Sequence, residues 1–244
     1  MDRRKGWGQN WDARMGLLCV RNLVKAYIDP EGKRSVVVDV ASFDLDVGQH
    51  VALSGESGSG KTTFLNLIAG IIRPDSGSIT LAGTELSTLS ESERDRLRAT
   101  SIGYIFQTFN LLQGFTALEN VTLGMSFGHG VDISRARALL ERVGLGSRLH
   151  HYPRQLSTGQ QQRAAVARAL SGKPKLVLAD EPTGNLDHAN AREVLQLIRE
   201  VCRENDAALL LVSHDPEVLG SFGSVSRLGS INRAAANRSQ EVAP

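Results

Sequence analysis

The sequence predicts an α/β protein, a parallel sheet core that follows a β-rich opening and is interrupted by an inserted helical subdomain. Three observations carry this prediction. Residues 17–54 alternate apolar and polar side chains, a glycine-rich turn at 55–62 joins a strand to a helix, and from 159 onward helix and strand patterns alternate. A helix between two strands returns the chain to the same end of a sheet, which makes the strands parallel.

The elements follow in order. Residues 1–16 are polar, hold Trp7 and Trp11 among glycines, precede any regular pattern and are read as a flexible arm. From Leu17 the chain is strand-like: LLCV, then SVVVDV, then FDLDV with Phe43, Leu45 and Val47 alternating against polar partners, then VALSG. TTFLNLIAG reads as a helix with Phe64, Leu65, Leu67 and Ile68 on two sides, closed by Gly70 and followed by Pro74. Apolar surface that broad belongs to a buried helix. Residues 77–81 give a short strand, Ser90 with Glu93 forms a capping box opening a charged helix through Arg98, and IGYIF returns to strand.

From about 107 to 155 the period becomes helical. It is clearest in SRARALLERVG, where Ala136, Leu139, Leu140 and Val143 share a face and Gly144 ends it. A helix over 159–170, the strand LVLA, a helix with Val194, Leu197, Ile198 and Val201 on one side, and the strand AALLLV complete a domain spanning 17–220. Residues 221–244, rich in Ser, Gly, Ala and Arg, are read as a loosely structured tail.

Composition narrows the function. Hydrophobic residues at 41% and charged residues at 22% suit a soluble globular chain. The net charge of +2, with Lys and Arg scattered, gives no stripe for a polyanion, so no nucleic acid partner is expected. No stretch approaches the roughly 20 apolar residues of a spanning helix, and the start lacks the apolar core of a signal peptide, so a cytoplasmic place is expected. Cys19 and Cys202 are isolated, which argues against a metal site or a disulfide framework.

GESGSGKT at 55–62 matches the phosphate-binding pattern GxxxxGK[ST] and stands after a strand and before a helix, as its mechanism requires. Gly55, Gly58 and Gly60 let the backbone bend around a β-phosphate. Successive N–H groups of this segment, which also holds Glu56, Ser57 and Ser59, then face the anion together with the positive end of the helix. Lys61 reaches the β- and γ-phosphates, and the hydroxyl of Thr62 is placed to coordinate Mg²⁺. LVLADE at 176–181 is an apolar strand ending in two carboxylates. Asp180 is expected to hold Mg²⁺, directly or through water, and Glu181 to be the base that polarises the attacking water. Read alone, the pair could be a helix N-cap before Pro182; beside the phosphate turn the catalytic reading is favoured.

With these residues in place, the chain resembles the ATP-binding cassette (ABC) ATPases. LSTGQ, made of Leu156, Ser157, Thr158, Gly159 and Gln160, is similar to that family's signature and lies just upstream of the carboxylate strand, although Thr158 takes a position that is often glycine. The motif order from Tyr27 to His214 agrees. The resemblance implies a P-loop NTPase (RecA-like) core with an N-terminal antiparallel β subdomain and an inserted α-helical subdomain, and it implies ATP with Mg²⁺. It further implies that Tyr27 stacks on adenine, Gln107 senses the metal and γ-phosphate, Asp187 contacts a partner subunit, and His214 clamps the γ-phosphate.

Ser157 and the backbone at Gly159 open a helix whose N-terminus is a second anion site. If the two phosphate-binding ends of one chain cannot meet on one nucleotide, ATP must be shared between two copies. The resemblance implies that dimer, closed by ATP and opened by hydrolysis.

Within the family, FQTFNLLQGFTALENV and LADEPTGNLD are most similar to the lipoprotein-releasing and macrolide-export group, which also includes a cell-division ATPase. This implies an integral membrane permease as second partner, a place on the inner face of the membrane, and export or extraction as the task. Phe109, Leu111, Leu112 and Phe115 are unusually apolar for a connecting segment; either they receive a permease helix or they pack the helical subdomain. A structural coupler of the cell-division kind would use the same motifs. A cassette ATPase of DNA repair or translation is disfavoured by the lack of zinc-binding insertions, coiled coils or a second cassette, and a kinase or GTPase by LSTGQ and the carboxylate pair.

Overall fold

The computed structural model describes residues 16–234. The flexible arm expected at 1–16, apart from Gly16, and the stretch 235–244 of the tail lie outside the described residues. The chain opens with β1 (Leu18–Ile28), β2 (Arg34–Leu45) and β3 (His50–Ser54), followed by α1 (Lys61–Ile68), β4 (Ser76–Leu81) and β5 (Thr84–Glu85). Next come α2 (Glu91–Ser101), β6 (Ile102–Ile105), α3 (Ala117–Ser126), α4 (Ile133–Arg142) and α5 (Thr158–Ser171). Then follow β7 (Leu176–Asp180), α6 (His188–Glu204), β8 (Ala208–Ser213), α7 (Pro216–Gly220), β9 (Val225–Arg227) and α8 (Leu228–Ile231).

Two sheets result. One is antiparallel in the order β2-β1-β4-β5, and the other is parallel in the order β6-β7-β8-β3-β9. Every residue of β7 and β8 is buried, as strands covered on both faces must be. Their side chains alternate between two cores. Leu176, Leu178 and Leu210 face the core shared with α1 and the antiparallel sheet, while Val177, Ala179, Leu209 and Leu211 face the core built with α3, α4, α5 and α6. The parallel sheet is therefore the middle layer. It brings the ends of β3, β8 and β7 together at its carboxyl edge, where ligands of open α/β sheets bind.

Helix starts follow local chemistry. Ser90 with Glu93 caps α2 and Thr116 with Glu119 caps α3, each as a reciprocal box, and Asp132 caps α4. In α5, Ala164, Ala165 and Ala167 are fully buried, and such small side chains let α3 approach closely. A Cβ on Gly124 would lie 2.9 Å from Ser171 Oγ and 3.3 Å from the Arg168 carbonyl, so that crossing requires glycine.

The structure corrects three readings of the sequence. SVVVDV and FDLDV are one strand, β2, because its full length pairs with β1, which itself runs on to Ile28 through a ladder irregularity at Lys25 and Ala26. Val47 is exposed in the turn beyond β2 rather than facing a core. The segment 221–232, read as loose tail, forms β9 on the edge of β3 and then α8, with Phe222, Leu228 and Asn232 buried. Its apolar residues are too few to show a period; the free edge of β3 supplies the order.

Phe64 is fully buried, and its ring meets Phe43 edge to face at 5.6 Å, joining α1 to the antiparallel sheet. Phe64→Ala is expected to destabilise the fold by about 3–5 kcal/mol, read as a lower urea midpoint at unchanged slope. A loss below about 1 kcal/mol would show that the two layers do not depend on this contact.

Candidate active site

The turn after β3 reverses the chain into α1. Gly60 is the N-cap of α1 with φ of 93°, no side chain caps the helix, and no acidic residue lies in its first turn. The first N–H groups and the positive end of the helix are thus left for an outside anion. Besides its left-handed backbone, Gly60 has no room for a side chain: a Cβ would lie 2.8 Å from the Val37 carbonyl and 3.3 Å from Asn232 Nδ2.

A cavity of about 360 Å³ opens over this turn. Glu56, Ser57, Gly58, Gly60, Lys61 and Thr62 line it from one side, and Gln107, Asp180, Glu181 and His214 from the ends of the neighbouring strands. Val37 and Thr63, which sequence reasoning did not single out, complete the wall. Gly55 and Ser59 belong to the turn but are not in the lining.

Three charges are buried here, Lys61 at 8% exposure, Asp180 at 7% and Glu181 at 7%. Lys61 Nζ donates to the carbonyls of Gly55 at 2.6 Å and Glu56 at 3.1 Å and lies 3.3 Å from Glu181 Oε1. Glu181 also takes His214 Nδ1 at 2.7 Å and the Ser213 hydroxyl at 3.0 Å. The carboxylate accepts, so His214 carries its hydrogen on Nδ1. Burial pushes the Asp180 carboxyl up from its ordinary range and the Glu181 charge adds to this, while the Thr62 hydroxyl opposes it.

Glu181 itself has φ of 44°, a left-handed backbone that costs a non-glycine residue on the order of 1–3 kcal/mol. Its N–H still pairs with the Val212 carbonyl at 3.0 Å, and Gly184 N–H closes a turn on its carbonyl at 3.1 Å. The chain therefore leaves the sheet directly after Asp180, and the Glu181 side chain is held at the end of β8.

Other predicted residues lie apart. Tyr27, Leu156, Ser157, Thr158, Gly159, Gln160 and Asp187 do not line this cavity. Tyr27, 44% exposed near the end of β1, has Lys25 Nζ 5.7 Å from its ring centroid. Ser157 and Gln160 form the capping box of α5, with Ser157 and Thr158 exposed. Asp187 caps α6 through Asn190 N–H at 2.9 Å and binds the Asn190 side chain at 2.6 Å. Asn190 in turn packs on Gly159, where a Cβ would be 3.2 Å from its Oδ1, so the signature and the GNLD segment form one surface.

Gln107 is stitched in place by residues the sequence did not flag. Asn185 Nδ2 donates to the Gln107 carbonyl at 2.7 Å, and the Arg168 guanidinium donates to the carbonyls of Phe109, at 2.9 Å, and Asn110. Asn185 stood within a quoted motif and Ser213 beside His214; Arg168, one arginine on an alanine-rich helix, carried no signal. Phe109 and Leu111 pack inward, whereas Leu112 and Phe115 are 44% and 41% exposed.

Among the described residues no group of three or more His, Cys, Asp and Glu forms a metal cluster. The Thr62 hydroxyl, the Asp180 carboxylate and the Gln107 side-chain amide do offer hard oxygen donors in the lining of one cavity. That set suits Mg²⁺, which takes one or two protein oxygens and completes its shell with phosphate and water.

A carboxyl held above its ordinary range stabilises the fold while protonated, and that contribution is lost as the pH rises through the raised value. Asp180→Asn, neutral at every pH, is therefore expected to melt above the wild type at about pH 8, with the gap narrowing toward about pH 4 in nucleotide-free protein. Melting curves of both proteins across that range check it. A wild type more stable at the alkaline end would overturn it.

Comparison with known proteins agrees with this geometry. Residues 38–184 match the sequence pattern of the ABC transporter family. The chain is 47% identical over 216 residues to the lipoprotein-releasing system ATP-binding protein LolD of Pseudomonas syringae pv. tomato, covering 87% of this chain and 94% of that protein. It is 45% identical over 192 residues to the macrolide export ATP-binding/permease protein MacB of Rhodopirellula baltica, covering 77% of this chain and 28% of that longer protein. Among solved structures, the ATP-binding cassette MJ0796, a dimer in a post-hydrolysis state with ADP and Pi, superposes with a TM-score of 0.79 at 32% identity, over 86% of this chain and 93% of that one. By fold, by motif and by this overlap, the chain is an ATPase of the ABC transporter family.

Proposed function

We propose that this chain binds Mg-ATP in the cavity over the 55–62 turn, shares each nucleotide with a second copy of itself, and hydrolyses it to drive a separate membrane permease in lipoprotein release. The observation that carries the reading is the buried trio Lys61, Asp180 and Glu181 beside a helix N-terminus that has no cap of its own. Such a site suits a polyanion with a cation. Phosphate oxygens take over Lys61 from the Gly55 and Glu56 carbonyls and from Glu181. That exchange frees the Glu181 carboxylate to accept a proton from the attacking water, while Ser213 and His214 hold it in place. Mg²⁺, held through Thr62, Asp180 and Gln107, supplies charge neutralisation at the phosphates. His214, which lines the cavity and whose side chain is 68% exposed, clamps the γ-phosphate, and Tyr27 receives the adenine.

The signature residues 156–160 lie on a surface apart from the cavity, which supports a site completed by the partner copy, with Asp187 contacting that copy. No described helix is long and apolar enough to cross a membrane. In the proposed assembly the permease supplies the span, this subunit lies against the cytoplasmic face, and Leu112 and Phe115 form part of the docking surface. The lipoprotein assignment rests on the similarity to LolD over nearly the full length of both proteins. The domain is taken to run from 17 through α8 to 232, with the helical subdomain at about 107–155.

Glu181→Gln keeps the side-chain shape and removes the base. It is expected to bind ATP, to lose about 10²–10⁴-fold in turnover, and to shift from monomer to dimer in light scattering when Mg-ATP is added. Lys61→Ala is expected to lose ATP affinity instead. Hydrolysis at the wild-type rate by both variants would reject the site.

A further inference from the structure

We infer that Asn232, from the C-terminal segment, is a positioning residue that aims the phosphate-binding turn. Asn232 is fully buried, and its side-chain amide is used to capacity. Oδ1 accepts from Asp39 N–H at 2.8 Å and Ala234 N–H at 3.3 Å, while Nδ2 donates to the carbonyls of Val37 at 3.0 Å and Ser59 at 3.1 Å. Two donors and two acceptor positions are all that the group has. It thereby ties β2 to the turn that carries the lysine, across 173 residues of chain.

The consequence follows from the planarity of the peptide bond. The Ser59 carbonyl and the Gly60 N–H belong to one trans unit and point in opposite directions. Holding the carbonyl on Asn232 sets the orientation of the Gly60 N–H, and Gly60 lines the cavity. The same contact seats Gly60 against Val37, which is why no Cβ fits there. Asn232 touches no ligand; it acts through the Ser59–Gly60 peptide, and the inference rests on the phosphate-site reading above. If the clamp raises nucleotide affinity, nucleotide must in turn stabilise the clamp by the same factor.

The test is ATP affinity, from titration with a fluorescent ATP analogue, together with the melting temperature, for wild type, Lys61→Ala, Asn232→Ala and Asn232→Asp. Asn232→Ala is expected to weaken ATP binding about tenfold while folded at the assay temperature. Asn232→Asp keeps the acceptors and loses both donors, so it is expected to bind weakly near neutral pH and to recover in part as acid returns a proton, and with it one donor, to the carboxyl. Unchanged affinity in a folded Asn232→Ala protein, with Lys61→Ala impaired, overturns the inference and leaves Asn232 a purely structural residue. Normal affinity in Lys61→Ala overturns the phosphate-site reading, and the clamp falls with it. Should both Asn232 variants fail to fold, amide exchange on the wild type decides: saturating ATP is expected to slow exchange across 228–234 and 37–39 together, and no change in either segment rejects the clamp.

Discussion

Lys61, Asp180 and Glu181 lie buried in one cavity, and the rest of the fold answers to that constraint. An ion taken out of water costs several kcal/mol unless it is paired and hydrogen-bonded. Lys61 meets the demand with two carbonyls of its own turn and with Glu181, and Glu181 with Ser213 and His214. These partners come from the ends of β3, β7 and β8, so the pairing holds only while the three strands keep their order and register. The parallel sheet, buried on both faces, supplies that rigidity. Asp180 is the least compensated of the three, and its burial raises its affinity for a proton.

Helix capping shows the same logic. Of the described helices of eight residues or more, α1 alone lacks a side-chain cap; α2, α3 and α5 carry full boxes, and aspartates close α4 and α6. Capping stabilises a helix and also uses up its first N–H groups. Leaving α1 uncapped gives up that stability in exchange for an anion site, and burial of Phe64, Leu65, Leu67 and Ile68 offsets the loss. Glu181 is a second departure from local preference, a left-handed residue maintained by the turn to Gly184 and the bond to Val212. Both local faults fall on the cavity wall.

The segment after β6 joins the cavity to the outer surface. Gln107 lines the cavity, Asn185 and Arg168 hold the backbone from 107 to 110, Leu111 packs inward, and Leu112 and Phe115 are exposed a few residues on. Asn185 belongs to the segment after β7 and Arg168 to α5, so a shift of either reaches the same short stretch of chain. In the proposed transporter this stretch lies between the nucleotide cavity and the exposed residues offered to the permease, and its backbone is pinned at 107, 109 and 110.

Much of this was legible in the sequence wherever local chemistry decides. The GESGSGKT turn, the capping box at Ser90, the helix opening at Ser157, the buried LVLADE strand and the helical period over SRARALLERVG each contain their own reason within a dozen residues, and each stands where it was expected, whereas the box that Gln160 closes on Ser157 was not foreseen. The two carboxylates and the lysine were named together because phosphate chemistry needs them together. Only the tertiary structure decided which strand lies beside which, that FDLDV continues β2, that 221–232 folds onto the edge of β3, and that Ser213, Arg168, Asn185 and Asn232 serve the cavity. The strand order and the two strand readings rest on backbone ladders between distant segments, and the four polar residues on single contacts, such as Asn232 with Asp39 across 193 positions. A lone buried amide leaves no period or motif in the chain, because its partners are backbone groups that every residue possesses.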